Sequence, residues 1–435
     1  MSNRFKTVLL RSAAATSLLL VAAAAAPGPA TTTMPASKPA ENASSRAIRF
    51  LEHRVERDGD DIVALNRLSG EYLLRFRDSG DDADLDRALK AAEHSLKVVP
   101  GELNRGGLAA RAHAAFSLHH FTSARDDARQ LLSFDPTKRA PLELLGDALM
   151  ELGDYADAGE VYSRVDREFE SDDAQAATEA RLARWAQLHG DVETARRRYE
   201  AAVRVTEGTS DVPAAPPLIR AWVRVQAGQF DFLCGRWDDA EKRYVAALAA
   251  KPDDWPALDH LAELRAAQKR YDEAVATYTK LVGRVPRPEL FQAVGDVYRE
   301  MGKSEDAKTW HTRALAAYRQ ATERGSSHYL HHLAGYFCDV ESNPTEAVRW
   351  AREDLKVRHS VYAYDALAWA LYAAGDYKAA SEAADKALAL NTADAHLLYH
   401  ASLIYARAGD ARKAQASLKR AAEVNPHFMS FHVHR

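Results

Sequence analysis

The chain has 435 residues, with 58 Lys and Arg against 62 Asp and Glu, a formal net charge of −4, and 47% hydrophobic and 28% charged residues. These proportions exclude a disordered chain and a multispanning membrane protein, and the slight acidic balance argues against general nucleic-acid binding. Two cysteines exclude a disulfide-dense fold and a Cys-based zinc array.

Residues 1–26 have the form of an address. Arg4, Lys6 and Arg11 make a positive start, and the apolar run Ser12–Ala26 follows. That run is shorter than the ~20 residues a spanning helix needs, and it ends in small residues, so it reads as a secretory signal peptide. Export, cleavage near Ala24–Ala30 and a periplasmic or secreted location are the expectation, with no stable membrane span afterwards. Residues 27–43 are Pro, Ala, Thr and Ser with almost no large apolar side chain. They cannot bury enough surface to offset their ordering entropy and read as a linker.

From residue 44 to 428 the chain repeats itself. A turn signal recurs at Gly153-Asp154-Tyr155, Gly190-Asp191, Gly235-Arg236-Trp237, Gly302-Lys303, Gly375-Asp376-Tyr377 and Gly409-Asp410, each followed by an alanine: Ala158, Ala195, Ala240, Ala307, Ala380 and Ala414. Proline closes the second stretch at Pro100, Pro136, Pro252, Pro286 and Pro426. Gly supplies the left-handed residue that ends one helix, and Pro stops the next. The spacing of about 34 residues predicts ten helical hairpins beginning near Asp61, Arg105, Arg139, Ala176, Ala221, Trp255, Pro288, His328, Val361 and Ala395, with an extra helix over Arg46–Arg57 before them. Residues 429–435 form a short His-rich tail.

Period and pattern resemble the tetratricopeptide repeat, whose 34-residue helix–turn–helix unit carries small and aromatic residues at fixed positions. The nearest matches are 221–254 (Gly228, Trp237, Ala240, Tyr244, Ala247, Pro252) and 139–172 (Leu142, Leu145, Gly146, Tyr155, Ala158, Tyr162). The resemblance implies an all-α, right-handed superhelical solenoid in which each hairpin contacts mainly its neighbours. It also implies that the first helix of each hairpin lines a concave, partner-binding face.

Catalytic signals are thin. Gly302-Lys303-Ser304 ends like a phosphate loop but lacks the glycine five residues earlier, where Val297 stands, so it reads as a helix turn. No His-Glu-x-x-His or Gly-x-Ser-x-Gly occurs. Cys234 and Cys338 fall in hairpins three repeats apart and read as separate buried thiols. His328, His331 and His332 cluster, His396 and His400 stand four apart, and His427, His432 and His434 crowd the end; ordinary hydrogen-bonded histidines are the expectation for all of them, rather than metal ligands.

Repeat positions assigned to the concave face divide it into zones. The first copies present Gly106, Ala109, His113, Phe116, Ala140, Glu143 and Asp147. The middle copies present Asp259, Glu263, Glu289, Asp296 and Glu300 with His260 and Arg299, an acidic stretch read as a solvated face. Asp259, Glu263, Gln292 and Asp296 also stand where one variant of the family holds a C-terminal carboxylate with Lys and Asn, so that function is not supported. The last copies present Tyr329, His332, Tyr336, Tyr362, Asp365, Trp369, Tyr372, His396, Tyr399 and His400. Tyr and Trp give large contact area at low entropy cost, so this last group is the expected peptide-binding zone.

The sequence thus predicts a non-enzymatic scaffold for a protein or peptide partner, with no cofactor, no metal and no nucleic acid. The alternatives are a metal- or small-ligand-binding protein using His332, Asp365, His396 and His400, and a small hydrolase with its site in the groove.

Overall fold

The computed structural model describes residues 43–165, 172–208, 210 and 213–432. The expected signal peptide and nearly all of the linker lie outside the described residues. Twenty-one helices occur among the described residues, with no strand. Helix α1 (Ala43–Arg57) packs on the first of ten hairpins: α2–α3 (Ile62–Ser79, Ala83–Val98), α4–α5 (Arg105–Ser117, Phe121–Phe134), α6–α7 (Arg139–Leu152, Tyr155–Val165), α8–α9 (Asp172–Leu188, Val192–Thr206) and α10–α11 (Pro217–Leu233, Trp237–Ala250). The second half holds α12–α13 (Trp255–Ala267, Tyr271–Val282), α14–α15 (Pro288–Glu300, Ser304–Glu323), α16–α17 (Leu330–Asp339, Pro344–Asp354), α18–α19 (Val361–Ala373, Tyr377–Ala387) and α20–α21 (Ala395–Ala408, Ala411–Val424). Two starts differ from the sequence expectation by four residues: α8 begins at Asp172 and α10 at Pro217, whose ring presets the first helical φ.

Local chemistry explains the boundaries. Asp61, Asn104, Asp191, Asp254, Asn343, Asp376, Asp394 and Asp410 each accept a backbone N–H of the helix they precede. Within a hairpin the helices meet through a small residue under a ring. A Cβ on Gly146 would stand 2.5 Å from Tyr162, and one on Gly228 would stand 2.5 Å from Tyr244. Ala158, Ala195, Ala240, Ala307 and Ala380 are buried at the crossings, while Ala414 in the last hairpin is only half-buried. Cys234 and Cys338 are free and buried in separate hairpins, and burial pushes the Cys234 thiol up to about 11, which keeps it inert. Gly302-Lys303-Ser304 is a helix turn, with Gly302 at φ +74° and Lys303 capping α15.

Helices pack within their own hairpin and on the neighbouring ones, as the repeat pattern implies. The array also coils back on itself after about six hairpins, so that loops of the first half dock on connections of the second. The Arg287 guanidinium donates to Gly80 O (3.3 Å) and Asp82 (3.2 Å), and Tyr329 Oη donates to Asp82 (2.7 Å). Ser327 Oγ donates to Leu118 O, His359 N to Glu151 O, Val361 N to Tyr155 Oη, Thr392 Oγ1 to Leu188 O, and Asn425 Nδ2 to Phe232 O. Five successive hairpin loops thus meet five successive sites, 190 to 210 residues further on apart from the Tyr329–Asp82 bond, which spans 247. The nearest-neighbour expectation holds for helix-on-helix packing, and these loop contacts add a second, longer-range set to it. The cause is geometric: a small rotation per hairpin, repeated six times, brings the chain round to its own beginning.

A row of histidines lies in this seam. Arg287 donates to His328 Nε2 (3.0 Å), which places the His328 proton on Nδ1, where it meets His119 Nε2 at 3.0 Å. His331 Nδ1 accepts from Arg358, which also pairs with Asp354 at 3.0 Å. Each of these acceptor roles needs a neutral imidazole.

Candidate functional site

The inner helices α2, α4, α6, α8, α10 and α12 enclose a cavity of about 670 Å³, reached from the second turn by Tyr362 and by His432 of the C-terminal tail. From the repeat positions read in the sequence, His113, Phe116, Ala140, Glu143 and Asp147 line it, as do His260 and Glu263. Arg77, Arg181, Arg184, Trp222 and Gln229 line it as well and were not singled out beforehand. Reading the fourth hairpin by the same rule gives Arg181 and Arg184 at concave positions, so that signal was present. Arg77 was out of reach of the rule because α2 runs 18 residues, one turn past the usual concave positions.

Charge in the cavity is largely compensated. Arg181 Nε donates to Asp147 (2.9 Å) and its Nη1 lies 3.4 Å from Glu143; Tyr162 Oη donates to the other Asp147 oxygen and Thr178 Oγ1 to Glu143. Arg184 donates to Glu151 at 2.8 Å. On the opposite side Glu263 is buried and receives His260 Nδ1 (3.2 Å) and His432 Nδ1 (2.6 Å), while His260 Nε2 meets Gln229. The tail is held further by Phe431 in the core, by His432 against His396 and Phe232, and by His427 stacked on Trp237. It is therefore a built part of the inner face.

The acidic stretch is not a solvated face. Asp259, Glu263, Glu289 and Asp296 are buried, and only Glu300 is exposed. His311 and Arg299 both reach Asp296 at 2.9 Å, and Arg287 pairs with Glu289. Asp296 thus ties together the two helices of its own hairpin, and Glu263 ties α12 to the C-terminal tail.

In the C-terminal copies, Tyr329, Tyr336, Asp365, Trp369, His396 and His400 are buried, and His332, Tyr362, Tyr372 and Tyr399 are half-buried. Tyr336 Oη donates to His311 O at 3.0 Å. Trp369 lies between Tyr372 and His400 in a stack with centroid spacings of 4.9 and 4.2 Å, and its Nε1 donates to Asp339. His400 Nδ1 meets Asp365 at 2.9 Å. Burial raises Asp394, the cap of α20, to about 6, against the lowering effect of the His396 and Leu397 N–H groups. Of the ten residues, Tyr362 alone reaches the cavity. His332, Asp365, His396 and His400 are not drawn into one cluster, and no group of three or more His, Cys, Asp or Glu among the described residues is placed to hold a metal ion. No described helix is long and apolar enough to cross a membrane.

No curated protein matches the chain in sequence. Among solved structures, a tetratricopeptide repeat protein from Parabacteroides merdae is similar at 15% identity, covering 62% of this chain and 93% of its own, with a TM-score of 0.40. Human IFIT1, solved as a dimer with PPP-AAAA, is similar at 13% identity over 87% of this chain and 94% of its own, with a TM-score of 0.45. Yeast Tom70 is similar at 14% identity over 88% of each chain, with a TM-score of 0.36. Family profiles described as tetratricopeptide repeat match residues 109–173, 235–287 and 395–428. These matches, set in an array of ten helical hairpins among the described residues, support a tetratricopeptide repeat protein.

Proposed function

We propose that the protein is an exported, non-enzymatic interaction scaffold that takes a segment of a partner protein into the cavity formed by α2 to α12. The observation that carries this reading is the cavity itself: about 670 Å³ of space on the concave face, walled by rings and by polar groups from six successive hairpins. The repeat fold suggests protein–protein interaction, and the chain's own tail supports the rest. The C-terminal segment 427–432, a turn followed by a short non-helical end, already reaches this inner face with His432 hydrogen-bonded to Glu263. The ligand site of this reading is thus in the first six hairpins, with Tyr362 as the contribution of the aromatic C-terminal copies.

A photo-crosslinking amino acid placed at Phe116, on the cavity wall, should capture a partner in the native host, whereas one at Val245, exposed on α11, should not. Capture from Val245 alone would reject the cavity as the binding site. Export is tested separately by mass spectrometry of the N-terminus, where an intact Met1 would reject cleavage.

A further inference from the structure

We propose that the cavity takes an organic anion, whose negative group lies against Arg77 and His113 and whose apolar body rests on the surrounding rings. This rests on the cavity being the binding site and names the chemistry of what enters it.

The argument is one of hydrogen-bond accounting. Every acid lining the cavity has donors: Glu71 from Ser44 (3.1 Å), Glu143 from Thr178 and Arg181, Asp147 from Tyr162 and Arg181, and Glu263 from His260 and His432. Arg67 lies 3.8 Å from Glu71, and Arg184 pairs with Glu151. Among the described acids and arginines that line the cavity, Arg77 is the exception. It stands half-buried on the last turn of α2 with no hydrogen bond or ion pair, and only its chain neighbour Asp78 offsets the burial that lowers its pKa. The carbonyl end of α2 favours a cation there, but it supplies the guanidinium with no acceptor.

His113 faces the same space. Its ring is exposed there and has no hydrogen-bond partner within the protein. A guanidinium and an imidazole, both unpartnered and both open to one cavity, form a donor pair whose missing acceptor is an anion. A cationic ligand would meet Arg77 with no free acid to offset it. Phe116, Trp222, Phe230 and Tyr362 line the same cavity, and its volume is that of sites for drug-sized molecules. The anionic group can arrive on a free organic acid or on the acidic side chain of a protein segment.

The test uses the full chain and two probes with one aromatic body. Anilinonaphthalene sulfonate carries a negative charge, and N-phenyl-1-naphthylamine does not. The sulfonate should bind at least tenfold more tightly than the neutral amine. Arg77→Gln should remove that preference and His113→Gln should reduce it, with binding of the amine unchanged. Because Arg77 has no partner to lose, Arg77→Gln should not lower the melting temperature of the free protein. Equal affinity for the two probes, an unaltered preference in Arg77→Gln, or unfolding of that variant would each overturn the proposal. Displacement of the sulfonate by 1-naphthoate points to a free acid, and displacement by an acidic peptide points to a protein segment. Crosslinking from Phe116 without any sulfonate preference would reject the anion and leave the scaffold, and a sulfonate preference without crosslinking would do the reverse.

Discussion

Glycines at the hairpin turns give a direct measure of how much the coiled-back closure stabilises the fold. Gly80, Gly153, Gly190 and Gly235 in the first half, and Gly302, Gly375 and Gly409 in the second, all have φ between +65° and +89°. The local backbone is therefore the same, and any L-residue there carries a left-handed penalty of about 1–2 kcal/mol, less for Asn. The surroundings differ. A Cβ on Gly153 would stand 2.6 Å from His359 O, and one on Gly190 would stand 2.5 Å from Asn391 O, whereas Gly375 and Gly409 have nothing within 4 Å. The obstruction at Gly153 and Gly190 is backbone of the next superhelical turn. Moving it apart would disturb the His359–Glu151 and Val361–Tyr155 hydrogen bonds at the first site and the Ala393–Gln187 bond at the second. Each such bond contributes about 1 kcal/mol, and forced overpacking costs about 1–3 kcal/mol. Gly375→Asn and Gly409→Asn should therefore cost under about 1 kcal/mol, and Gly153→Asn and Gly190→Asn about 3 kcal/mol or more. Urea denaturation followed by circular dichroism at 222 nm reads the difference. Equal costs at Gly153 and Gly375 would mean that the two turns do not touch in solution.

Acid should weaken the same seam. Burial foremost, then neighbouring Arg and His charges, hold His119, His328 and His331 well below the usual histidine value, so the folded state keeps them neutral while the unfolded chain takes up protons below about pH 6.5. Their stabilisation is present above that pH and is lost as the pH falls, by up to about 1.4 kcal/mol per histidine per pH unit. Urea midpoints at pH 7.5 and 5.5 should separate clearly, and a flat profile would reject the neutral assignment. Tyr329→Ala, which removes a fully buried ring and the bond to Asp82, should cost about 3–5 kcal/mol, whereas Tyr362→Ala at the cavity wall should cost markedly less and reduce partner capture. Equal stability losses in a urea series would place both rings in the core.

What the sequence revealed follows from the range of the interactions involved. Helix starts at Arg105, Arg139, Trp255, Pro288, Val361 and Ala395 were readable because caps, prolines and turn glycines act over four residues. The closure was not readable. Gly153 and Gly375 carry the same Gly-Asp-Tyr signal, yet one abuts backbone 206 residues away and the other faces open space. Aromatic content places the expected binding zone in the C-terminal copies for a related reason: the composition of a stack such as Tyr372, Trp369 and His400 is that of a binding hot spot, and only burial, which sequence does not give, distinguishes a core stack from an exposed one. The cavity residues of the early copies were legible as positions, His113 and Glu143 among them, but the absence of aromatic enrichment made them inconspicuous.

Closure and recognition also share residues, which bears on how occupancy would be felt. Arg77 stands three residues before Gly80, whose carbonyl receives Arg287, and Arg287 in turn holds Asp82, Glu289 and His328. Tyr362 lines the cavity from a helix whose first N–H, that of Val361, is bound by Tyr155 across the seam. A ligand that engages Arg77 and Tyr362 together therefore bridges the two superhelical turns, and binding to the closed form alone raises its stability in proportion to the logarithm of ligand excess. The seam also has an acid-labile component in its neutral histidines. Ligand affinity and acid stability are then linked: a ligand that favours the closed form opposes protonation of His119 and His328, and their protonation weakens its binding by the same free energy.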